Sequence, residues 1–490
     1  MTPAVIARST RTGCGAASPR CSVWCWSGVA RSHGGPGRPR SGGTSSRGDA
    51  AGPADPAAVA PPPGVDVPDV VRPAALAPPA PGAGPLDRAA IAAALAPLRD
   101  KDLGPHVLAA VAPLTGTGFA YQATEGLPVA MPASTTKVVT SAVALFLLGP
   151  DRTFATRTVL ERSGTTPRLV LVGGGDPYLT RTPASTDDGT SPTYQPKRAD
   201  IRTLARSTAA SLRASGVSVV RLGYDDTLFS GPAMNPRWEA GYFPEEVSPI
   251  SPLWLDTGRT ADGRTRVANP SATAALEFRR ELGRAGIKVS GTTSHAAAAA
   301  SATAVAQVHS PTLAQIVQRL LEVSDNNAAE VLLRQIGVAE GGAGTFTAGQ
   351  AAVARVLKAN GIDLGTSVLY DGSGLSRSNR LAPQVLVDVL RWAASDRAPQ
   401  LRPLLAGLPV AGYTGSLDDR MDQGPPAGRG RVRAKTGTLT GVTSLAGIAV
   451  DRKGRLMAFA LMADRVKAPK ATLARTAMDD AAAGLGACLC

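Results

Sequence analysis

Arginine outnumbers lysine by 43 to 9 in this chain of 490 residues, yet two of the nine lysines stand where a serine acyl-transfer site would need them. Ser134-Thr135-Thr136-Lys137 is the only Ser-x-x-Lys, Lys435-Thr436-Gly437 follows late in the chain, and Ser324-Asp325-Asn326 lies between them. Arg keeps its proton at any workable pH, whereas a desolvated Lys can give it up and act as a base. A composition so biased toward Arg should have placed Arg at both positions if charge alone mattered.

Ser134 is the candidate nucleophile. A Ser hydroxyl is inert near neutral pH without a base beside it, and Lys137, one helical turn on, can be that base if it is neutral. Burial disfavours its ammonium form, and a second cation nearby, Lys435, would lower its pKa further. Ser324 and Asn326 are two apart and can face one cleft, Ser324 to pass a proton toward a leaving amine and Asn326 to hold Lys137 and a substrate amide. Lys435, Thr436, Gly437 and Thr438 open a strand. There Gly437 would leave room for a substrate backbone, and Thr436 and Thr438 would donate to a carboxylate. The N–H groups of Ser134 and Thr438 would form an oxyanion hole.

Each motif alone has a plainer reading. Ser-x-x-Lys at a helix start is ordinarily a cap with a solvated Lys, Ser-Asp-Asn a capping cluster, and Lys-Thr-Gly a common strand opening. Order and context together favour the catalytic reading, since three coincidences would otherwise be required.

The elements needed to position these residues are visible in the periodicity. Residues 87–98 read as a helix and 105–111 as a core strand. Residues 131–149 open with Pro and close with Gly around an almost continuous apolar run, which predicts a central, buried helix. Residues 154–161 and 168–173 alternate like a hairpin, and Gly173-Gly-Gly-Asp-Pro177 follows. The stretch to 300 mixes short strands with a helix over 201–215, ending in an alanine-rich hinge at 296–300. Helices are expected at 312–321, 328–337 and 471–483, with a strand-turn-strand over 444–462.

Bulk properties narrow the field. A chain this long exceeds one ordinary core, so several domains are expected. Residues 1–85 are rich in Arg, Gly and Pro and read as a disordered tail and linker. Net charge is +14, but seven arginines against Asp49 alone put +6 of it within the first 50 residues. No basic patch with interleaved aromatics lies beyond that tail, which argues against a nucleic-acid partner. Cys14, Cys21, Cys25, Cys488 and Cys490 leave the long middle without a disulfide framework, and the four His are scattered, so neither a metal site nor a Ser-His-Asp triad is indicated. No run reaches the roughly 20 apolar residues of an integral membrane span. Residues 21–30, after three arginines, look like a degraded signal peptide with too polar a centre.

The three motifs resemble those of the penicillin-binding proteins and serine β-lactamases. Ser134 and Ser324 are 190 residues apart and Ser324 and Lys435 are 111 apart. The long first interval is similar to the class C low-molecular-mass penicillin-binding proteins, D-alanyl-D-alanine carboxypeptidases/endopeptidases with extra domains between the first two motifs. Gly173 to Pro177, Asp371-Gly-Ser-Gly-Leu-Ser-Arg377 with Asn379-Arg380, and Gly415 to Arg420 match as well. Asp371 to Arg377 is read as a Gly-rich turn shaping the cleft and not as catalytic.

The resemblance implies an α/β (α+β) transpeptidase-like fold, an antiparallel sheet flanked by helices. The catalytic domain would span 86–155 and 301–490, with an inserted accessory region, spacer or substrate-selecting, at 156–300. It implies an extracytoplasmic cell-envelope enzyme that cleaves peptidoglycan stem peptides ending in D-Ala-D-Ala through an acyl-enzyme on Ser134. β-Lactams would acylate the same residue, and no metal or organic cofactor is implied. A serine β-lactamase and a non-catalytic penicillin-binding scaffold remain as alternatives. No deacylation Glu can be located for the former, and intact Ser134, Lys137 and Lys435 argue against the latter.

Overall fold

Strand alternation sets the frame of the molecule. The computed structural model describes residues 85–124, 126–162, 164–183, 195–422 and 428–490. The tail and linker expected over 1–85, with the leader-like segment, lie outside the described residues up to position 84.

In chain order, α1 (Arg88–Ala94) precedes β1 (Val107–Pro113), β2 (Tyr121–Ala123), α2 (Thr136–Leu148), β3 (Ala155–Glu161) and β4 (Arg168–Val172). Next come α3 (Ile201–Ala214), β5 (Val219–Asp225), α4 (Pro270–Arg284), β6 (Lys288–His295) and β7 (Thr303–His309). A helical stretch follows: α5 (Leu313–Glu322), α6 (Asn326–Ala339), α7 (Phe346–Ala359), α8 (Pro383–Ala394) and α9 (Arg402–Ala406). The chain closes with β8 (Val432–Leu439), β9 (Val442–Val450), β10 (Leu456–Ala463) and α10 (Ala471–Ala487).

The first sheet has the order β2-β1-β10-β9-β8 and is antiparallel throughout. Because successive side chains point to opposite faces, Leu108, Ala110, Ala458, Ala460 and Met462 pack with α2, α5, α6 and α8 on one side. Ala109, Val111, Phe459 and Leu461 meet residues of α1 and α10 on the other. This is the expected antiparallel sheet between helical layers. Apolar on almost every side, α2 is buried from Thr136 to Leu145.

The second sheet, β6-β5-β4-β3-β7, is mixed: β4, β5 and β6 run parallel while β3 pairs antiparallel with β4 and β7. Its last strand, β7, lies beyond the expected boundary at 300, because Thr303–His309 pairs with β3 and so closes this sheet. The helix expected over 87–98 also ends early. α1 stops at Ala94 and a 3₁₀ turn takes over at Ala96–Arg99, where Pro97 cannot supply the N–H that an α-helix needs.

Candidate active site

Ser134 sits in a 3₁₀ turn, Ala133–Thr135, that feeds directly into α2. Ala133 before it has φ 46°, a left-handed conformation that side chains with a Cβ rarely adopt. One turn on, Lys137 is fully buried, and its Nζ lies 2.8 Å from Ser134 Oγ. The same Nζ donates to Asn326 Oδ1 and to the Ser373 carbonyl, each at 2.7 Å. Its three hydrogen-bonding positions are thus all taken.

Asn326 is the first residue of α6, because Asp325 caps that helix by accepting from the N–H groups of Asn327 and Ala328. Its amide is oriented by both ends, since Nδ2 donates to the Glu246 carbonyl at 3.3 Å. Ser324, at φ 57°, turns the chain between α5 and α6 and lines the cleft with Ser134, Asn326, Thr436 and Thr438.

The turn over 371–376 does more than shape the cleft, since its Ser373 carbonyl touches Lys137. Two buried carboxylates hold it. Asp371 accepts from the N–H groups of Gly374 and Ser376, from Asn379 Nδ2 and from Trp238 Nε1. Glu330, one turn along α6 from Asn326, accepts from the N–H groups of Gly372 and Ser373. Gly374 has φ 88°, and a Cβ there would collide with the Ala133 carbonyl. The turn therefore packs directly on the backbone of Ala133 and Ser134.

Lys435 to Thr438 lie inside β8 and do not open it. Lys435 is fully buried, with Nζ donating to the Thr436 carbonyl at 2.9 Å. Thr436 Oγ1 donates to Ser416 Oγ at 2.9 Å, while Thr438 is exposed in the cleft. Gly437 is needed for a different reason than substrate clearance. A Cβ at this position would stand 2.6 Å from the Pro132 carbonyl and 3.2 Å from Ser134 N, so its absence lets the strand approach the Ser134 N–H.

Electrostatics follow from burial. Lys137 is lowered to about 8 by desolvation, opposed by the charges of Asp371, Glu330, Asp325 and Glu246. Desolvation is the leading cause, as the sequence reading expected, whereas Lys435, expected to lower it further, is not among the causes. Lys435 is itself lowered well below the usual Lys range, first by burial and then by the charge of Lys137. Glu330 is raised to about 8 by burial and by the Asp371 charge.

Sequence reasoning missed Ser373, Glu330, Trp238 and Glu246. The last two come from the segment between β5 and α4, far from any motif. Within α6, the apolar neighbours of Glu330 were the one available signal that a carboxylate was being buried.

The sequence profile of the D-Ala-D-Ala carboxypeptidase 3 (S13) family matches residues 89–266 and 259–485. A carboxypeptidase DacB of Mycolicibacterium smegmatis is 36% identical over 364 residues, covering 73% of this chain and 76% of that one. A D-alanyl-D-alanine carboxypeptidase of an Actinomadura species is 30% identical over 447 residues, covering 73% and 78%. Among solved structures, penicillin binding protein 4 (dacB) of Haemophilus influenzae superposes with TM-score 0.66 at 22% identity, covering 79% of this chain and 97% of that one. That likeness concerns the fold.

Proposed function

The chain belongs to the D-Ala-D-Ala carboxypeptidase 3 (S13) family, and we propose that it is a serine DD-carboxypeptidase whose Ser134 is activated by neutral Lys137. One observation carries this reading. Two of the three partners of Lys137 Nζ, the Asn326 Oδ1 and the Ser373 carbonyl, can only accept. A neutral amine has two N–H bonds to give, and both are claimed. Its lone pair is left facing Ser134 Oγ, 2.8 Å away.

Neutral Lys137 takes the Ser134 hydroxyl proton as Oγ bonds to the carbonyl carbon of the penultimate D-Ala. The N–H groups of Ser134 and Thr438 receive the oxyanion. A hole of this kind is worth about 3–4 kcal/mol per donor when it can be measured. Lys137 then returns the proton through the Ser324 hydroxyl to the departing amine, and terminal D-Ala leaves. Water attacks the ester and restores Ser134. Thr438 would meet the substrate carboxylate, a reading supported by its position in the cleft lining with Thr436, whose hydroxyl donates to Ser416 Oγ. Lys435, fully buried within β8, is lowered well below the usual Lys range by burial and by the Lys137 charge, and it donates to the Thr436 carbonyl.

Peptidoglycan stem peptides ending in D-Ala-D-Ala are the substrates, β-lactams are acylating analogues, and the place of action is outside the cytoplasm at the cell wall. The test is incubation of the purified protein with a D-Ala-D-Ala peptide and with labelled penicillin. The expected result is D-Ala release together with a long-lived adduct on Ser134, both lost in Ser134→Ala. Rapid penicillin turnover without D-Ala release would instead indicate a β-lactamase, and neither activity a scaffold.

A further inference from the structure

A second cavity of about 490 Å³, which Ser134 does not line, adjoins the catalytic cleft of about 460 Å³. The two share Ser324, Asn326 and Glu246 in their walls. Arg266 and Tyr178 also line it, at 8% and 5% exposure. Arg266 makes no ion pair among the described residues. Its guanidinium is held by long bonds to neutral oxygens: Ser248 Oγ at 3.2 Å and the carbonyls of Glu245, Glu246 and Thr257 at 3.3–3.4 Å. Its Nε and the Tyr178 hydroxyl have no hydrogen-bond partner among the described residues.

A buried guanidinium with carboxylates near but none in direct contact leaves its charge incompletely met, and the orphaned phenol in the same lining is a second unused donor. Both donors suit an oxyanion. The same lining carries the carboxylates of Glu245, Glu246, Asp256 and Asp325 and the guanidiniums of Arg198, Arg259 and Arg319, so it offers partners to both ends of a zwitterion.

We propose that this cavity is a second ligand site, which takes the carboxylate of an amino acid or short peptide on Arg266 and Tyr178 and its ammonium on the side of Glu246 and Asp325. The site goes beyond the acyl-transfer reading and depends on it only for the way the cleft is blocked in the test. Occupancy would be felt at the nucleophile through the shared Asn326, which holds Lys137.

The test is calorimetric titration of D-alanine, acetate and inorganic phosphate, at constant ionic strength, into the full chain after benzylpenicillin has acylated Ser134. The same titrations are run on the Ser134→Ala protein with its cleft unacylated. Saturable D-alanine binding to the acylated protein, with acetate weaker, is expected. Hydrogen bonds to a charged group are worth about 1.5–3 kcal/mol, so Arg266→Gln should weaken D-alanine at least about tenfold. Tyr178→Phe removes only the hydroxyl and should weaken it severalfold, which keeps the proposal testable if Arg266→Gln fails to fold. No saturable D-alanine binding, binding indifferent to both substitutions, or phosphate binding tighter than D-alanine would each overturn it. Failure of penicillin to acylate would count against the acyl-transfer reading instead, and the Ser134→Ala titrations would still decide this one.

Discussion

Raising the pH should switch the nucleophile on within a defined window. With Lys137 lowered to about 8, about a tenth of the enzyme carries the neutral amine at pH 7, half near pH 8 and about nine-tenths at pH 9. The second-order rate of acylation should therefore climb about tenfold between pH 7 and a plateau above pH 9. With the ordinary value of 10.5, the neutral fraction at pH 7 would be smaller by a further factor of about 300, and the rate would still be rising tenfold per unit at pH 9. Stopped-flow acylation by a fluorescent penicillin that does not titrate in this range, at fixed ionic strength from pH 6 to 10, reads the inflection directly. A rise that continues unbroken through pH 9.5 would refute the burial argument. A flat profile would refute Lys137 as the base.

Asn326→Asp puts a carboxylate against Lys137 Nζ, so the same profile should move its inflection to higher pH. Asn326→Ala, which removes an acceptor of Lys137, should cost about 10²-fold in acylation, within the range of lost acid–base catalysis. Gly374→Ala would drive a Cβ into the Ala133 carbonyl. It should lower stability by about 1–3 kcal/mol in urea unfolding and slow acylation as well. Glu330 is raised from 4.5 to about 8, so the folded state binds its proton more tightly than the unfolded chain does. Its contribution is then complete below pH 4.5 and lost as pH climbs to about 8. Glu330→Gln, whose single oxygen can still accept from Gly372 and Ser373, should flatten that fall in stability when unfolding is followed across the window.

The catalytic sheet and its helices were legible because their signals are local. Alternation marked β9 and β10, the apolar run marked α2, and the short spacing from Ser134 to Lys137 placed them on one turn. Asn326 was found as a partner of Lys137 because motif order carries that information. Less accessible was everything set by approach of distant backbone. The Ser373 carbonyl has no side-chain signature, and the role of Gly437 depends on what a Cβ would strike across the gap to Pro132. At Lys137 the sequence reading named burial as the first cause but also expected a contribution from Lys435, which is not among the causes. Burial depends on how α2, α6 and the 371–376 turn close around the amine, which no local pattern encodes.

The long excursion between β5 and α4 has a practical implication for anyone reshaping this protein. From that excursion the indole of Trp238 reaches Asp371 and the carbonyl of Glu246 orients Asn326, while Ser248 N–H donates to Asn327 Oδ1. Excising the region between the first two motifs to obtain a minimal enzyme would strip away braces of the groups that hold Lys137. A shortened version should then fold around its antiparallel sheet and yet be chemically mute, unless residues 235–250 are retained or rebuilt.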